Sequence, residues 1–387
     1  MTSKRIPGLD IVRSVAILAV VAAHSCVYLL RVGDTGLLGS VTHGFAACAY
    51  PLAAFGVDLF FVLSGFLIGN ILIRTFINDA TFSFRDIRSF WIRRWFRTLP
   101  LYWLILTADI ALYHFLDLRS HEMNKAFDYL FIQNLWYPHP VYFFGEAWSL
   151  SVEEWFYITL PITMYLSALI FKPENKRKFL FRIFAGYIAV FVVLRFINAF
   201  HPINGPDQEA GIRKVVAFRL DAVMYGVLIA YFNHYHGTAL RKLKNILLAT
   251  GIAGIICIAW LMTAPSINIT DSQNHTVRFA SDAFLYLLTP LLCALCLPFA
   301  SNILSVRNRY LSGFFKHISK ISYSMYLVHY SLVFIPFFNN MKAVSIPATV
   351  LYYLLYWTIV IGLSSLLYKY YEYPVMKLRD RFSERER

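Results

Sequence analysis

Arg13 and His24 share one apolar run, Ile11 to Leu30, that otherwise carries no charge. A guanidinium holds anions and an imidazole moves protons, so the two residue types suggest different tasks. An α-helix turns about 100° and rises about 1.5 Å per residue, which puts both side chains on nearly one face, roughly 16 Å apart along the axis. Ionisable groups in such a helix point into a protein interior or a wet cavity. The plainer alternative is a buried Arg and His that only stabilise packing.

Carboxylates are the next groups to place. Asp58 lies in FGVDLFFVLSGF, and Glu153 and Glu154 lie in EAWSLSVEEWFY. Counted from the outer ends of their runs, they fall near the level of His24, roughly 9 Å deep. A carboxylate that accepts the proton of one imidazole nitrogen fixes the tautomer and leaves the other nitrogen as a base. His24 with Asp58 or Glu153 is therefore the expected catalytic set. Ser151 and Glu154 also fit a helix-start capping box, which favours Glu153 as the functional carboxylate, and Asp58 has the alternative of bonding backbone or a hydroxyl.

A second constellation is cationic. FWIRRWFRTLPLYW carries Arg93, Arg94 and Arg97, and the spacing of Arg94 and Arg97 turns both guanidiniums one way, toward phosphate oxygens. Orientation charge accounts for some arginines, but an all-arginine segment from Arg74 to Arg97 favours bidentate recognition. Arg13 reaches the same level, with Asp10 one turn away as a sufficient ion-pair partner. FRLDAVMYGVLIAY places Arg219 and Asp221 near Arg195, either lining an acceptor pocket or pairing structurally. In ISYSMYLVHYSL, Tyr323, Tyr326 and His329 share a run, with His329 either at the site or packed.

The elements that must position these groups follow from composition. Of 387 residues, 58% are hydrophobic and 15% charged. Apolar runs long enough to cross a bilayer recur at Ile11–Leu30, Leu52–Ile73, Leu99–Phe115, Ser149–Phe171, Phe179–Phe200, Val215–Phe232, Ile246–Ala264, Ala283–Ala300, Tyr323–Phe338 and Ala348–Tyr368. The expected fold is all-α, a polytopic membrane protein of about ten transmembrane helices. Its net charge of +14 sits in short connecting segments rather than on a soluble face, which argues against a nucleic-acid partner. The loops holding Arg74 to Arg97, Lys172 to Arg182, Arg241 to Lys244 and the C-terminal tail carry most of that charge, so both termini are expected to be cytoplasmic. Residues 5–375 form the expected membrane domain and 376–387 a basic tail. No cleavable signal precedes the first run. Cys293 and Cys296 read as packing residues, and no metal site is expected. Asn268-Ile-Thr270 and Asn274-His-Thr276 are glycosylation-type triplets.

Taken together, RIPGLDIVRSVAILAVVAAH, GVDLFFVLSGFLI, RRWFRTLP, WSLSVEEWFY, FRLDAVMYGVLIAY, YSMYLVH and Glu372-Tyr373-Pro374 resemble, in order and over nearly the whole chain, the acyltransferase-3 family of integral membrane O-acyltransferases. The resemblance implies roles in activity for the residues matched by Arg13, His24, Arg94 and Arg97. It also implies cytoplasmic acyl-CoA, most simply acetyl-CoA, as donor and an extracytoplasmic sugar-containing acceptor. Ser331 stands where a proline often follows the His of the ninth run, and no hydrolase-like domain follows the last run, which suggests direct delivery of acceptor.

The resulting expectation is an O-acyltransferase of the bacterial inner membrane. Arg13, Arg94 and Arg97 would hold coenzyme phosphates, and His24 would act as general base or carry the acyl group, oriented by Asp58 or Glu153. Ser64 would donate to the thioester oxygen or serve as a packing residue. Arg195, Arg219, Asp221 and His329 would complete the substrate site. A transporter or flippase using the buried charges as a path is the alternative, although no matched interruptions recur in two halves. A sensor or scaffold is a third reading.

Overall fold

The computed structural model describes residues 5–29, 44, 48–78, 82–116, 126–136, 138, 143–201, 208–264, 269, 274–339 and 346–384. Among these residues the long elements are all helical: α1 (Pro7–Leu29), α2 (Ala49–Asn78), α3 (Phe84–Phe115), α4 (Ala147–Phe171), α5 (Lys176–Phe200), α6 (Leu220–Thr263), α7 (His275–Ala300), α8 (Arg309–Phe338) and α9 (Pro347–Arg379). Eight of them, all but α3, are long and apolar enough to cross a membrane. The chain is an all-α polytopic membrane protein.

One element differs from the sequence expectation. The arginines ahead of Leu99 lie on a helix rather than in a loop, because no breaker interrupts the segment after Phe84 and arginine is a good helix former. Asp86 starts this helix by accepting from the Ser83 backbone N–H at 2.8 Å. The expected runs Val215–Phe232 and Ile246–Ala264 fall on two helical halves of α6, which meet at a kink where the backbone of His236 is non-helical (φ −135°, ψ 30°). Its two halves keep separate neighbours. Gly65 and Gly69 of α2 lie against Val223 and Val227, whereas Gly251 and Gly254 lie against Leu292 of α7. The expected tail boundary at 376 also falls within helix, since helical turns continue to Glu384.

The contact of α2 with α6 fixes the floor of the site. A Cβ on Gly226 would stand 1.9 Å from the Val62 carbonyl oxygen, and one on Gly65 would stand 1.8 Å from that of Val223. Small residues let membrane helices approach this closely. Gly226→Ala is therefore expected to destabilise the protein by about 3 kcal/mol through overpacking against backbone. A detergent-solubilised thermal melt within a degree of the parent would refute it.

One further device positions chemistry. Asn308 caps α8 by accepting from the backbone of Tyr310 and Leu311, and regular helix then runs to Val328. From His329 to Phe338 the turns widen to π-helical spacing. Pro336 lies within this stretch, lacks an N–H and crowds the carbonyl one turn back, so regular pairing cannot persist there. The Tyr356 hydroxyl of α9 donates at 3.1 Å to the His329 carbonyl. His329 thus sits where the helix changes pitch, fixed by a neighbour.

Candidate active site

Each wall of the central cavity follows helical spacing. Arg94, Arg97 and Thr98 form one face of α3; Ser149, Glu153 and Tyr157 form one face of α4; and Ser322, Tyr323 and Tyr326 form one face of α8. With Arg13 of α1 and Phe60, Phe61 and Ser64 of α2, they line a cavity. A second cavity is bordered by Arg5, Asp10, Lys320 and Glu372. The two share Arg13, Leu67 and Arg97, so these residues form a wall common to both.

The three guanidiniums are the main charge in this space. Asp10 is engaged elsewhere: it accepts from Arg5 at 2.6 and 2.9 Å and from Ser319 at 2.8 Å. Among the described residues no carboxylate oxygen lies within ion-pair reach of Arg13, Arg94 or Arg97. Arg94 instead stacks 5.9 Å from the Tyr157 ring and 5.8 Å from that of Phe90. Trp91 and Trp95 hold α3 against α4 by donating to the Tyr157 carbonyl at 2.8 Å and to Glu154 at 3.1 Å. Glu154 also accepts from Thr98 at 2.8 Å. The expected capping box is not formed, because α4 begins at Ala147 and leaves Ser151 inside the helix.

Toward the other end, Tyr326 connects the cavity to a histidine pair. Its carbonyl accepts from His329 Nδ1 at 2.8 Å, and its hydroxyl contacts Ser149 at 2.6 Å. His329 Nε2 lies 3.2 Å from His24 Nδ1, which also lies 3.0 Å from the Val20 carbonyl. A carbonyl only accepts, so both rings carry their proton on Nδ1. His24 Nδ1–H is then shared between Val20 and the His329 Nε2 lone pair, and His24 Nε2 is left basic. His24 is half-buried and packs 4.6 Å from the Tyr330 ring, while His329 is fully buried.

Several sequence expectations are corrected by this geometry. The expected Asp58–His24 contact is not made: Asp58 is buried against Arg219, which also donates to the Tyr286 carbonyl at 2.9 Å. Asp58 faces α6 rather than α1. Glu153 does not orient His24 either; it accepts from Tyr157 at 2.7 Å inside the cavity. Arg195 pairs with Asp221 at 2.6 Å and donates to the Phe218 carbonyl at 2.7 Å. Arg195, Arg219 and Asp221 are fully buried, engaged in the pairs Arg195–Asp221 and Arg219–Asp58, and line neither of these two cavities. Ser64 faces the cavity and bonds Tyr157 at 2.8 Å. Cys293 packs beneath the Phe55 carbonyl as a free thiol. Asn274 caps α7 by accepting from the Thr276 and Val277 backbone, while Asn268 and Thr270 lie outside the described residues.

The sequence reading missed two groups beside the pair. Glu146, just ahead of α4, accepts from Ser331 Oγ at 2.5 Å and from the Ser331 backbone N–H at 3.3 Å. A proline at 331 has no N–H to give, so the serine supplies a bond to Glu146 that the more usual residue could not. Burial pushes the Glu146 carboxyl up to about 7, with the Ser331 donors offsetting only part of the rise. Between α5 and α6, Glu209 accepts from Tyr50 at 2.9 Å and Arg213 at 2.5 Å. Burial raises Glu209, but Arg213 and Lys214 hold it down to about 2. Arg213 in turn lies 5.0 Å from the Trp148 ring. Glu146 opens the EAWSLSVEEWFY segment, yet nothing in its spacing marked it.

Comparison with known proteins gives one family. A family model described as an acyltransferase domain matches residues 6–369. The O-acetyltransferase OatA of Staphylococcus aureus (strain NCTC 8325 / PS 47) is 25% identical, the match covering 96% of this chain and 57% of that protein. A Bacillus subtilis (strain 168) protein, YrhL, provisionally named a peptidoglycan O-acetyltransferase, is 25% identical over 85% of this chain and 48% of its own. The chain thus spans about half the length of these relatives. No solved structure matches it.

Proposed function

As the chain belongs to the acyltransferase-3 family, matched from residue 6 to residue 369, we propose that it moves an acetyl group from acetyl-CoA on the cytoplasmic side to a hydroxyl of a sugar-containing acceptor on the outer side of the bacterial inner membrane. The names of its relatives support an O-acetyl product and a peptidoglycan-like acceptor. One observation carries the reading: three guanidiniums without ion-pair partners among the described residues line a cavity that Tyr326 also lines, and Tyr326 lies three residues before His329, whose ring meets His24.

The residues fit this division of labour. Three guanidiniums in a cavity with one carboxylate, Glu153, leave a positive surplus that suits a multiply anionic ligand, and arginine offers phosphate a bidentate fork. The side shared with the second cavity gives phosphates a place at the arginine end and the thioester arm a course along α2 and α8. The spacing of Arg13 and His24, roughly 16 Å along α1, separates donor anchoring from chemistry. At the far end His24 Nε2 removes the acceptor hydroxyl proton as oxygen attacks the acyl carbon; the carbon–sulfur bond breaks, and the thiolate takes up a proton.

Asp58–Arg219 and Arg195–Asp221 lie sealed between helices and line neither cavity, which disfavours a charge-lined transport path through them. The test uses protein in sealed vesicles, radiolabelled acetyl-CoA on one side and a hydroxyl-bearing glycan oligomer on the other. Label is expected on the glycan, at a rate dependent on protein. Accumulation of unmodified glycan or acetate inside, without labelled glycan, would replace the enzyme reading with transport.

A further inference from the structure

The polarity of the hydrogen bonds along one cavity wall carries an inference that rests on the donor proposed above. Tyr157 OH donates at 2.7 Å to Glu153 Oε2. Glu153 shares its cavity with Arg13, Arg94 and Arg97, and as a carboxylate it only accepts, so the tyrosine is the donor of this bond. A phenol has one proton, so Tyr157 cannot also donate to Ser64. The 2.8 Å contact between Ser64 Oγ and Tyr157 OH must therefore run from serine to tyrosine. The Ser64 proton is committed, and only its lone pairs remain for the cavity.

With this polarity Ser64 has no proton to donate to a thioester oxygen. It points to the opposite complement, a ligand N–H. Ser64 lies about halfway along α2, on the same cavity face as Phe60, Phe61 and Leu67, so its neighbours on its own helix are apolar. A hydroxyl acceptor set in an aromatic and aliphatic stretch of wall suits a chain that is mostly methylene with an occasional amide. We infer that Ser64, held as a pure acceptor by Tyr157 and Glu153, receives an amide N–H of the pantetheine arm and so sets the register of the thioester along the cavity.

The probes are coenzyme A and its nucleotide fragment, 3′-phospho-ADP, which keeps the phosphates and lacks both amides. Binding is measured by calorimetry on the full chain in nanodiscs. Ser64→Ala is expected to weaken coenzyme A binding about fivefold, the size of one neutral hydrogen bond, and to leave the nucleotide fragment unchanged. Ser64→Thr keeps the hydroxyl and is expected to stay within about twofold of the parent, which separates loss of the acceptor from disturbance of α2. Equal weakening of both probes by Ser64→Ala, or of neither, would overturn the assignment of Ser64 while leaving the donor reading intact. Failure of the parent protein to bind coenzyme A at all would overturn the donor reading and this inference with it. An oxygen-ester analogue of the arm, unable to donate, sharpens the same comparison: it is expected to bind parent and Ser64→Ala alike.

Discussion

Alanine at His24 is expected to lower acyl transfer by about 10³-fold, within the range for loss of a positioned general base, while the protein still inserts, folds and binds donor. The expectation follows from the tautomer. The Val20 carbonyl and His329 Nε2 both lie on the Nδ1 side of His24, so its proton is held there and Nε2 keeps the lone pair. General base catalysis and a transient acyl-imidazole both need that nitrogen, so the substitution removes either route. Because Arg13 lies roughly 16 Å from His24 along α1, and Arg94 and Arg97 line the same cavity as Arg13, the fall is expected in kcat with little change in donor KM. His329 acts through His24 and is a positioning residue: His329→Ala is expected to cost about 10²-fold through misorientation, and His329→Gln, whose carbonyl can still accept from Nδ1–H, is expected to recover part of it. Initial rates with saturating donor, read beside coenzyme A binding, check both. Near-parental transfer by His24→Ala would remove the imidazole from the chemistry.

The sequence made the helices legible because twenty-residue apolar runs leave little choice in a bilayer. It made His24 and the arginines legible because charge within such runs is costly and must have a reason. It could not show which helices adjoin. Asp58 and His24 matched in depth, yet depth says nothing of azimuth, and the close approach of α2 to α6 at Gly65 and Gly226 turns Asp58 toward Arg219. His329 is the reverse case. As one histidine in a distant run it read as packing or substrate contact, and only the meeting of α1 with α8 makes it the partner of His24. Ser331 followed the same logic: a departure from the resembled pattern acquired a meaning once Glu146 was seen to accept from it. The two halves of α6 were legible because hydropathy falls between Phe232 and Ile246, and the helix kinks at His236 within that interval.

Replacing Arg94 and Arg97 together with alanine is expected to weaken coenzyme A binding by at least about 100-fold, since each charge-assisted hydrogen bond is worth about 1.5–3 kcal/mol. Ligand-free stability should move the other way. Arg13, Arg94 and Arg97 gather positive charge in one cavity without carboxylate partners among the described residues, so removing two of them relieves repulsion and lowers the cost of burying charge. A melting temperature equal to or above the parent's, combined with lost binding, is the signature of residues kept for a ligand rather than for the fold. Lysine at both positions restores charge without the planar fork and is expected to recover only part of the affinity. Arg307, exposed between α7 and α8, is the control for charge that serves orientation alone, and Arg307→Ala should leave binding unchanged. Calorimetric titration of coenzyme A into each variant decides the matter. If the double alanine variant binds as the parent does, the cluster reverts to a topological signal; if it loses both binding and stability, the arginines hold α3 against its neighbours through contacts to backbone and rings.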